Sequence, residues 1–293
     1  MSLKSNPYIK LNGGDFLYHL GIDTSQVNCK EIFHDVKFVC LGGSTNRMLK
    51  FAKFINENLN GNSEEPYNYA YKTDRYCLYK TGPILIANHG IGVPSLSVLL
   101  NEIFKLLFYA QCSDVIFIRL GTCGGIGVEA GTVVITDNVV NGELEPIFSY
   151  VSIKLGKRIN ITTTVDADLV REIYDHSSQN NSFTIVRGTT CSVDCFYEAQ
   201  GRLDGALCDY TEEDRKQFFE KLQRNGVKNL EMESLGLFSY CHRAGYKAAM
   251  IAVALLNRLE ADEPTSNIDM LKEWESRPFY TVLNFIRSKL DIV

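Results

Sequence analysis

Asp114–Thr136 reads DVIFIRLGTCGGIGVEAGTVVIT, and its two β-rich runs decide the fold class. Val115–Leu120 and Thr132–Thr136 are short and rich in Val and Ile, the composition of strands buried on both faces in a mostly parallel sheet covered by helices. Between them Gly121, Gly124, Gly125, Gly127 and Gly131 read as a loop. Arg119 sits inside the first run. A guanidinium cannot be left unpaired in an apolar sheet, so it either meets a carboxylate or points out of the strand end at an anion. The glycines favour the anion, because they let backbone N–H groups approach a ligand closely, and Thr122 adds a hydroxyl. The competing reading is a glycine-rich strand connection with a structural Arg–carboxylate pair. A dinucleotide-binding loop is a weaker competitor: the order is G-x-x-G-G-x-G, and a strand follows Gly131 where a Rossmann phosphate loop opens a helix.

Towards the N-terminus, Val36–Leu41 is a strand that turns through Gly42-Gly43-Ser44-Thr45-Asn46-Arg47 into a helix over Met48–Leu59. Strand, glycine turn and helix N-terminus together make an anion site, since the first-turn N–H groups are free and the macrodipole is positive there. Arg47 in that first turn is a second arginine poorly placed without an anion. Phe16–Leu20 is apolar and carries His19, which on its own reads as structural. Tyr69–Tyr79 alternates like a strand and holds Arg75, while Ile84–Asn88 is a buried strand ending at His89. Pro94 suits a first helical position, and the helix Ser95–Ala110 is apolar almost all round, so it belongs deep in the fold.

Towards the C-terminus, Phe148–Thr164 reads as two strands around Gly156, Asp166–His176 as a helix with an acidic cap, and Phe183–Thr190 as a strand. That strand delivers CSVDCFYEAQGR, residues 191–202, where Gln200 and Arg202 are alternate residues of an extended segment and point to one side. An amide and a fork of donors suit a heterocycle with carbonyls and one ring N–H. Lys216–Asn225 is a helix ended by Gly226. In Leu230–Ser234, LEMES, the two carboxylates flanking Met232 either cap the helix that runs to Ala244 or accept hydrogen bonds from a vicinal diol. Ala248–Leu256 is a buried strand, Asn257–Pro264 a polar, lid-like loop, and Met270–Leu290 a closing amphipathic helix. With no repeat or linker, a single domain over 1–293 is expected.

The chain has 293 residues, 45% hydrophobic and 22% charged, with a formal charge of −5. That balance gives no global attraction for nucleic acid or an anionic membrane, so any anion is held by a local cluster. The apolar runs are shorter than a membrane span and the first residues lack a signal-peptide core, which makes a cytoplasmic location the expectation. Nine cysteines, an odd number without a C-x-x-C pair, read as reduced thiols. The histidines lack metal-ligand spacing, so neither a metal nor a covalent cofactor is expected.

Taken together, GGSTNR, TDRY, IRLGTCGGIG, DCFYEAQGRLDG, LEMES and LLNRLE resemble the uridine phosphorylases of the nucleoside phosphorylase-I family, the animal ones above all. The resemblance runs from about His19 to the C-terminal helix, and the Q-x-R pair is its uracil mark. It implies a three-layer α/β/α sandwich around a mixed, barrel-like central sheet, and a homodimer with shared active sites. Phosphate, a co-substrate and not a cofactor, would be held by Gly43, Arg47, Arg119 and Thr122 of one subunit and Arg75 of its neighbour. Glu233 would bind the ribose hydroxyls, with Met232 packed on the sugar and His19 of the neighbour at the 5′-hydroxyl. Phe196 would lie on the uracil ring, Gln200 and Arg202 would meet its polar edge, and Arg258 would sit nearby on the lid. Catalysis would rest on Arg119, Gln200, Arg202 and Glu233. The implied reaction is uridine plus phosphate giving uracil and ribose 1-phosphate. Cys123 departs from the pattern, where related enzymes carry Ser or Thr. The alternatives are a purine nucleoside phosphorylase or nucleosidase of the same fold, which commonly carries an Asp where this chain reads Leu256-Asn257-Arg258, and a weakly active nucleoside-binding paralogue.

Overall fold

The computed structural model describes Asn6, Tyr8, Ile9 and residues 14–61, 63–178 and 182–292; the rest of the polar N-terminal start lies outside the described residues. The chain divides into two compact units, Met1–Arg119 with Tyr240–Ala248, and Leu120–Ser239 with Ala249–Val293. All three boundaries fall inside regular elements, which is why no linker marks them in the sequence.

In the first unit a two-residue strand pair, β1 (Phe16–Leu17) and β2 (Ile22–Asp23), and a short helix α1 (Cys29–Phe33) precede β3 (Phe38–Gly42). Helix α2 (Thr45–Asn60) follows, capped by the Ser44 hydroxyl, which accepts from the Arg47 N–H, and ended by Gly61 in the left-handed region. Then come β4 (Leu78–Thr81), β5 (Ile84–Asn88), α3 (Gly92–Tyr109) and the start of β6 (Ile116–Gly125). β3 lies between β5 and β6 and is parallel to both, with Gly42 opposite Asn88 and Leu41 opposite Arg119; β4 closes the edge antiparallel to β5. In such a sheet the carboxyl ends of strands on either side of a central one are where ligands collect. Helix α3 has the length and hydropathy of a membrane span, yet 56% of its 18 residues are buried inside the protein. Leu96, Leu99, Leu100, Ile103, Leu106 and Leu107 are fully covered, each worth about 2 kcal/mol of burial.

The second unit continues β6 and adds β7 (Val133–Val140), the antiparallel pair β8 (Ile147–Lys154) and β9 (Lys157–Thr162), α4 (Ala167–Ser178) and β10 (Ile185–Ser192). After these come α5 (Glu212–Arg224), β11 (Val227–Glu231), α6 (Ser234–Ala244), β12 (Lys247–Asn257) and α7 (Ile268–Lys289). Here β6, β11, β10, β7 and β12 close on themselves: β10 is parallel to β7 and β11, β11 antiparallel to β6, and β12 antiparallel to β7 and next to β6. This is the mixed, barrel-like sheet expected of the family, with α4 packed on β7 and β10, and α5 on β11. Cys191, Phe219, Leu222, Val227 and Leu230 form the apolar core beneath α5. All nine cysteines are free thiols.

Two expectations need correction. Residues 69–76 are turns and bends, and the strand starts only at Leu78. The Asn68 side chain accepts from the Ala70 and Leu78 N–H groups, offering the backbone a local partner in place of a strand neighbour. The glycine loop is also shorter than expected, because β6 runs on through Gly125. A Cβ on Gly124 would stand 2.7 Å from the Arg258 Cγ. That glycine makes room for an arginine of the chain itself.

Candidate active-site residues

The first unit gathers cations at the carboxyl ends of its parallel strands. Arg119, 4% exposed, donates from Nε to His89 Nε2 at 3.2 Å. The His89 backbone N–H in turn donates to the Gly42 carbonyl at 2.8 Å. Burial, with the Arg119 and Arg47 charges behind it, holds the fully buried His89 well below the ordinary histidine range, so the ring is neutral and free to accept from Arg119. Gly43 stands at the same spot: a Cβ there would lie 3.4 Å from the Gly90 carbonyl, 3.9 Å from an Arg47 Nη and 4.0 Å from the His89 ring. Any side chain at 43 would enter the space between Arg47 and His89. Two guanidiniums beside the N-terminus of α2, which has no acidic residue in its first turn, make a site suited to an anion.

The same unit holds His19 and Arg75. Both line a cavity of about 690 Å³ with Phe16, Tyr18, Lys72 and Tyr76. His19 is fastened by Glu102 of α3, whose carboxylate lies 2.7 Å from the ring Nδ1 and accepts the His19 and Leu20 backbone N–H groups at 2.9–3.0 Å. The Arg75 side chain is 72% exposed and reaches Asp74 only at 3.9 Å. A pair that open contributes next to nothing to stability.

In the second unit Gln200, Arg202 and Arg258 are 4%, 7% and 1% exposed, with Phe196 standing out at 46%. Gln200 and Arg202 do not alternate along an extended strand as the sequence suggests. Gln200 ends a 3-10 turn, Glu198–Gln200, and Gly201 follows at φ +60°. That turn carries the pair into one cluster by another route. Arg258 donates to the Gln200 carbonyl at 3.0 Å and lies 3.4 Å from its side-chain oxygen. Arg202 spans both oxygens of Asp204 and lies 4.5 Å over the Phe196 ring. The Asp204 hydrogen bond raises the Arg202 pKa, and Arg202 lowers that of Asp204. Asp262 ties the cluster together: one carboxylate oxygen takes Arg258 at 2.9 Å and Arg215 at 3.0 Å, and the other takes the Leu203 N–H at 2.9 Å. Burial lowers the Arg258 pKa, and Asp262 opposes that effect.

LEMES resolves into two roles. The Glu231 carboxylate accepts from the Glu233 and Ser234 N–H groups at 2.9–3.1 Å and so caps α6. Glu233, 5% exposed, is a second and separate buried carboxylate, with Met232 half-buried between them. Thr122 is half-buried on β6 and Cys123 beside it is buried. Asn257 spends its amide on the local turn, accepting from Gly127 and Leu259 and donating to Glu260.

The phosphorylase superfamily model matches residues 37–287. Uridine phosphorylase 1 of Mus musculus is 45% identical over 98% of this chain and 92% of its own length, and uridine phosphorylase 2 of Homo sapiens is 44% identical over 98% and 90%. The chain belongs to the phosphorylase superfamily, among the uridine phosphorylases. The solved uridine phosphorylase of Schistosoma mansoni in complex with thymine is similar in structure, with a TM-score of 0.93, 37% identity and coverage of 98% of this chain and 100% of that one. Three residues of this family member escaped the sequence reading: His89, Glu102 and Asp262. For Asp262 a signal existed, the i,i+4 spacing from Arg258. For His89 the signal was its place just past a buried parallel strand.

Proposed function

We propose that the protein catalyses the reversible phosphorolysis of uridine to uracil and ribose 1-phosphate, a reaction of pyrimidine salvage. The observation that carries this reading is the segment Phe196–Arg202, which joins a buried amide, a buried guanidinium and an exposed aromatic ring in a chain of this family. Cleavage of the glycosidic bond through an oxocarbenium-like state leaves positive charge on the sugar and negative charge on the base. Phosphate is the nucleophile, so no side-chain nucleophile is needed. Arg47 and Arg119, with the Gly43 turn and with Thr122 on the same strand as Arg119, hold the phosphate. Glu233 accepts from the ribose hydroxyls and Met232 packs on the sugar. Phe196 covers the uracil, Gln200 and Arg202 stabilise its oxygens as charge develops, and Arg258 supports Gln200. Fixed donors of this type are each worth on the order of 3 kcal/mol in the transition state. His19 and Arg75 serve the site of a second subunit, so the working unit is a homodimer, and its location is the cytoplasm.

The test is incubation with phosphate and uridine, thymidine, inosine or adenosine in turn, with free base followed by chromatography. Phosphate-dependent release of uracil is the expected result. Release from inosine but not uridine refutes the reading in favour of a purine enzyme. Release from none refutes it in favour of a nucleoside-binding paralogue.

A further inference from the structure

His19 reaches the first unit's cavity on an arm held at three points. Its ring Nδ1 lies 2.7 Å from the Glu102 carboxylate, which also takes its backbone N–H and that of Leu20. A carboxylate only accepts, so Nδ1 is the donor, and in the neutral ring Nε2 carries the lone pair. Among the described residues no protein group bonds Nε2, and the side chain is 38% exposed on the wall of the cavity. The third point is Thr73. Its hydroxyl donates to the His19 carbonyl at 2.9 Å and accepts from the Arg75 N–H at 3.0 Å. One side chain therefore joins the backbones of the two residues that share this face. The contact is close: a Cβ on Gly21, at φ +65°, would lie 2.7 Å from the Thr73 methyl.

We propose that Glu102 and Thr73 are positioning residues: Glu102 fixes the His19 ring as the Nδ1–H tautomer so that Nε2 accepts from a sugar hydroxyl, and Thr73 binds His19 and Arg75 into one arm. The inference rests on the uridine reading above. It excludes a neutral ring protonated at Nε2, whose Nδ1 lone pair would face the Glu102 carboxylate. A ring held this way favours a nucleoside that keeps its hydroxyl over one that lacks it, because the lone pair is otherwise left without a partner.

The experiment compares uridine with 5′-deoxyuridine, which lacks only the 5′-hydroxyl, in the wild-type chain and in Glu102→Gln. A carboxamide at 102 can donate to Nδ1 and so releases the ring to the other tautomer. The expected result is that the wild type prefers uridine by roughly tenfold in kcat/KM, that the variant loses most of that preference, and that 5′-deoxyuridine turnover changes by less than about twofold. Equal losses on both nucleosides mean a purely structural Glu102 and overturn the proposal, as does an unchanged preference. Thr73→Val carries a second arm of the test: lost preference together with a raised KM for phosphate supports the linked arm, and loss of neither overturns it. If Glu102→Gln does not fold, nitrogen-15 NMR of the histidine rings in the wild type decides, since either a neutral Nε2–H tautomer or an imidazolium for His19 overturns the proposal. Should the wild type cleave neither nucleoside, the uridine reading falls and takes the sugar hydroxyl with it. The same spectrum then still shows whether His19 holds the Nδ1–H tautomer.

Discussion

Asp262→Asn removes a carboxylate that lies between two guanidiniums, and the structure sets what that costs. The Arg258 side chain is 1% exposed, that of Asp262 13% and that of Arg215 15%. Breaking a buried ion pair by removing one partner costs about 3–5 kcal/mol, since the other charge stays buried without its counter-charge. The carboxamide keeps one oxygen for Arg258 or Arg215, but its NH2 group then points at the Leu203 N–H that Asp262 accepts at 2.9 Å. The lower end, about 3 kcal/mol, is therefore expected. For a chain of this size that lowers Tm by about 6 °C. A double-mutant cycle with Arg258→Met isolates the pair: the second substitution should cost about 2 kcal/mol less in the Asp262→Asn background than in the wild type. The urea midpoint gives the stabilities, and the KM for uridine gives the effect on Gln200, whose carbonyl Arg258 holds at 3.0 Å. Additivity within about 0.5 kcal/mol would show that Asp262 and Arg258 do not act as a pair, and the clamp on Gln200 would have to be abandoned.

Gln200→Leu is expected to lower kcat/KM for uridine by at least about a hundredfold with phosphate binding nearly unchanged; an unchanged kcat/KM removes Gln200 from the site. Arg119→Ala should raise the KM for phosphate and lower stability, and a phosphate dependence equal to wild type would remove Arg119 from the anion site. Arg75→Ala damages the neighbour's site and Gln200→Ala its own, so in mixed dimers both defects fall in one site. Refolding equal amounts together should restore roughly a quarter of wild-type activity, and activity at the parents' average despite proven mixed dimers refutes a shared site. Because His89 is buried neutral, with its pKa held below the unfolded value of about 6.5, its contribution to stability is complete above that pH and is lost as the pH falls, when the unfolded chain binds the proton first. His89→Asn should therefore flatten the acid limb of stability against pH by up to about 1.4 kcal/mol per unit, seen in urea midpoints between pH 6.5 and 5; an unchanged slope refutes a buried neutral ring.

The order of strands and helices was legible because each carries its own pattern. β3 and β5 are continuous apolar runs buried along their whole length, whereas α5, expected from Lys216, starts at Glu212 behind a capping box of Thr211 with Asp214 that the sequence reading passed over. Tyr69–Tyr79 misled because alternation of aromatics is also what a turn shows when its rings pack to one side: Tyr69 lies edge-on to Phe33 and Tyr67, and the Tyr76 hydroxyl donates to the Ser95 carbonyl. The glycines of β6 misled for a related reason. A glycine records a close approach without saying what approaches, and at Gly124 it is Arg258, far along the chain.

The residues that the sequence hid share one property. Arg119, Gln200 and Glu233 stood out because their chemistry is odd for an apolar or strand-end position, and such oddness is local. His89, Glu102 and Asp262 act on other side chains, and partners of theirs lie 30, 83 and 47 residues away in Arg119, His19 and Arg215. Nothing near Glu102 in an apolar helix distinguishes a carboxylate that holds a histidine from one that faces water. Only the fold decides, by burying it to 9% exposure against the His19–Leu20 backbone. A buried carboxylate without donors is expensive, so its presence at a core helix position already required partners to be found elsewhere in the chain. The same reasoning applied to Arg258, the largest fully buried side chain among the described residues, leads to Asp262, four residues on and within reach across one turn of the loop. Burial of charge is thus the property to follow from fold to site: each buried charge demands a partner, and here the chain of partners runs from Arg258 through Asp262 to the segment that holds Gln200.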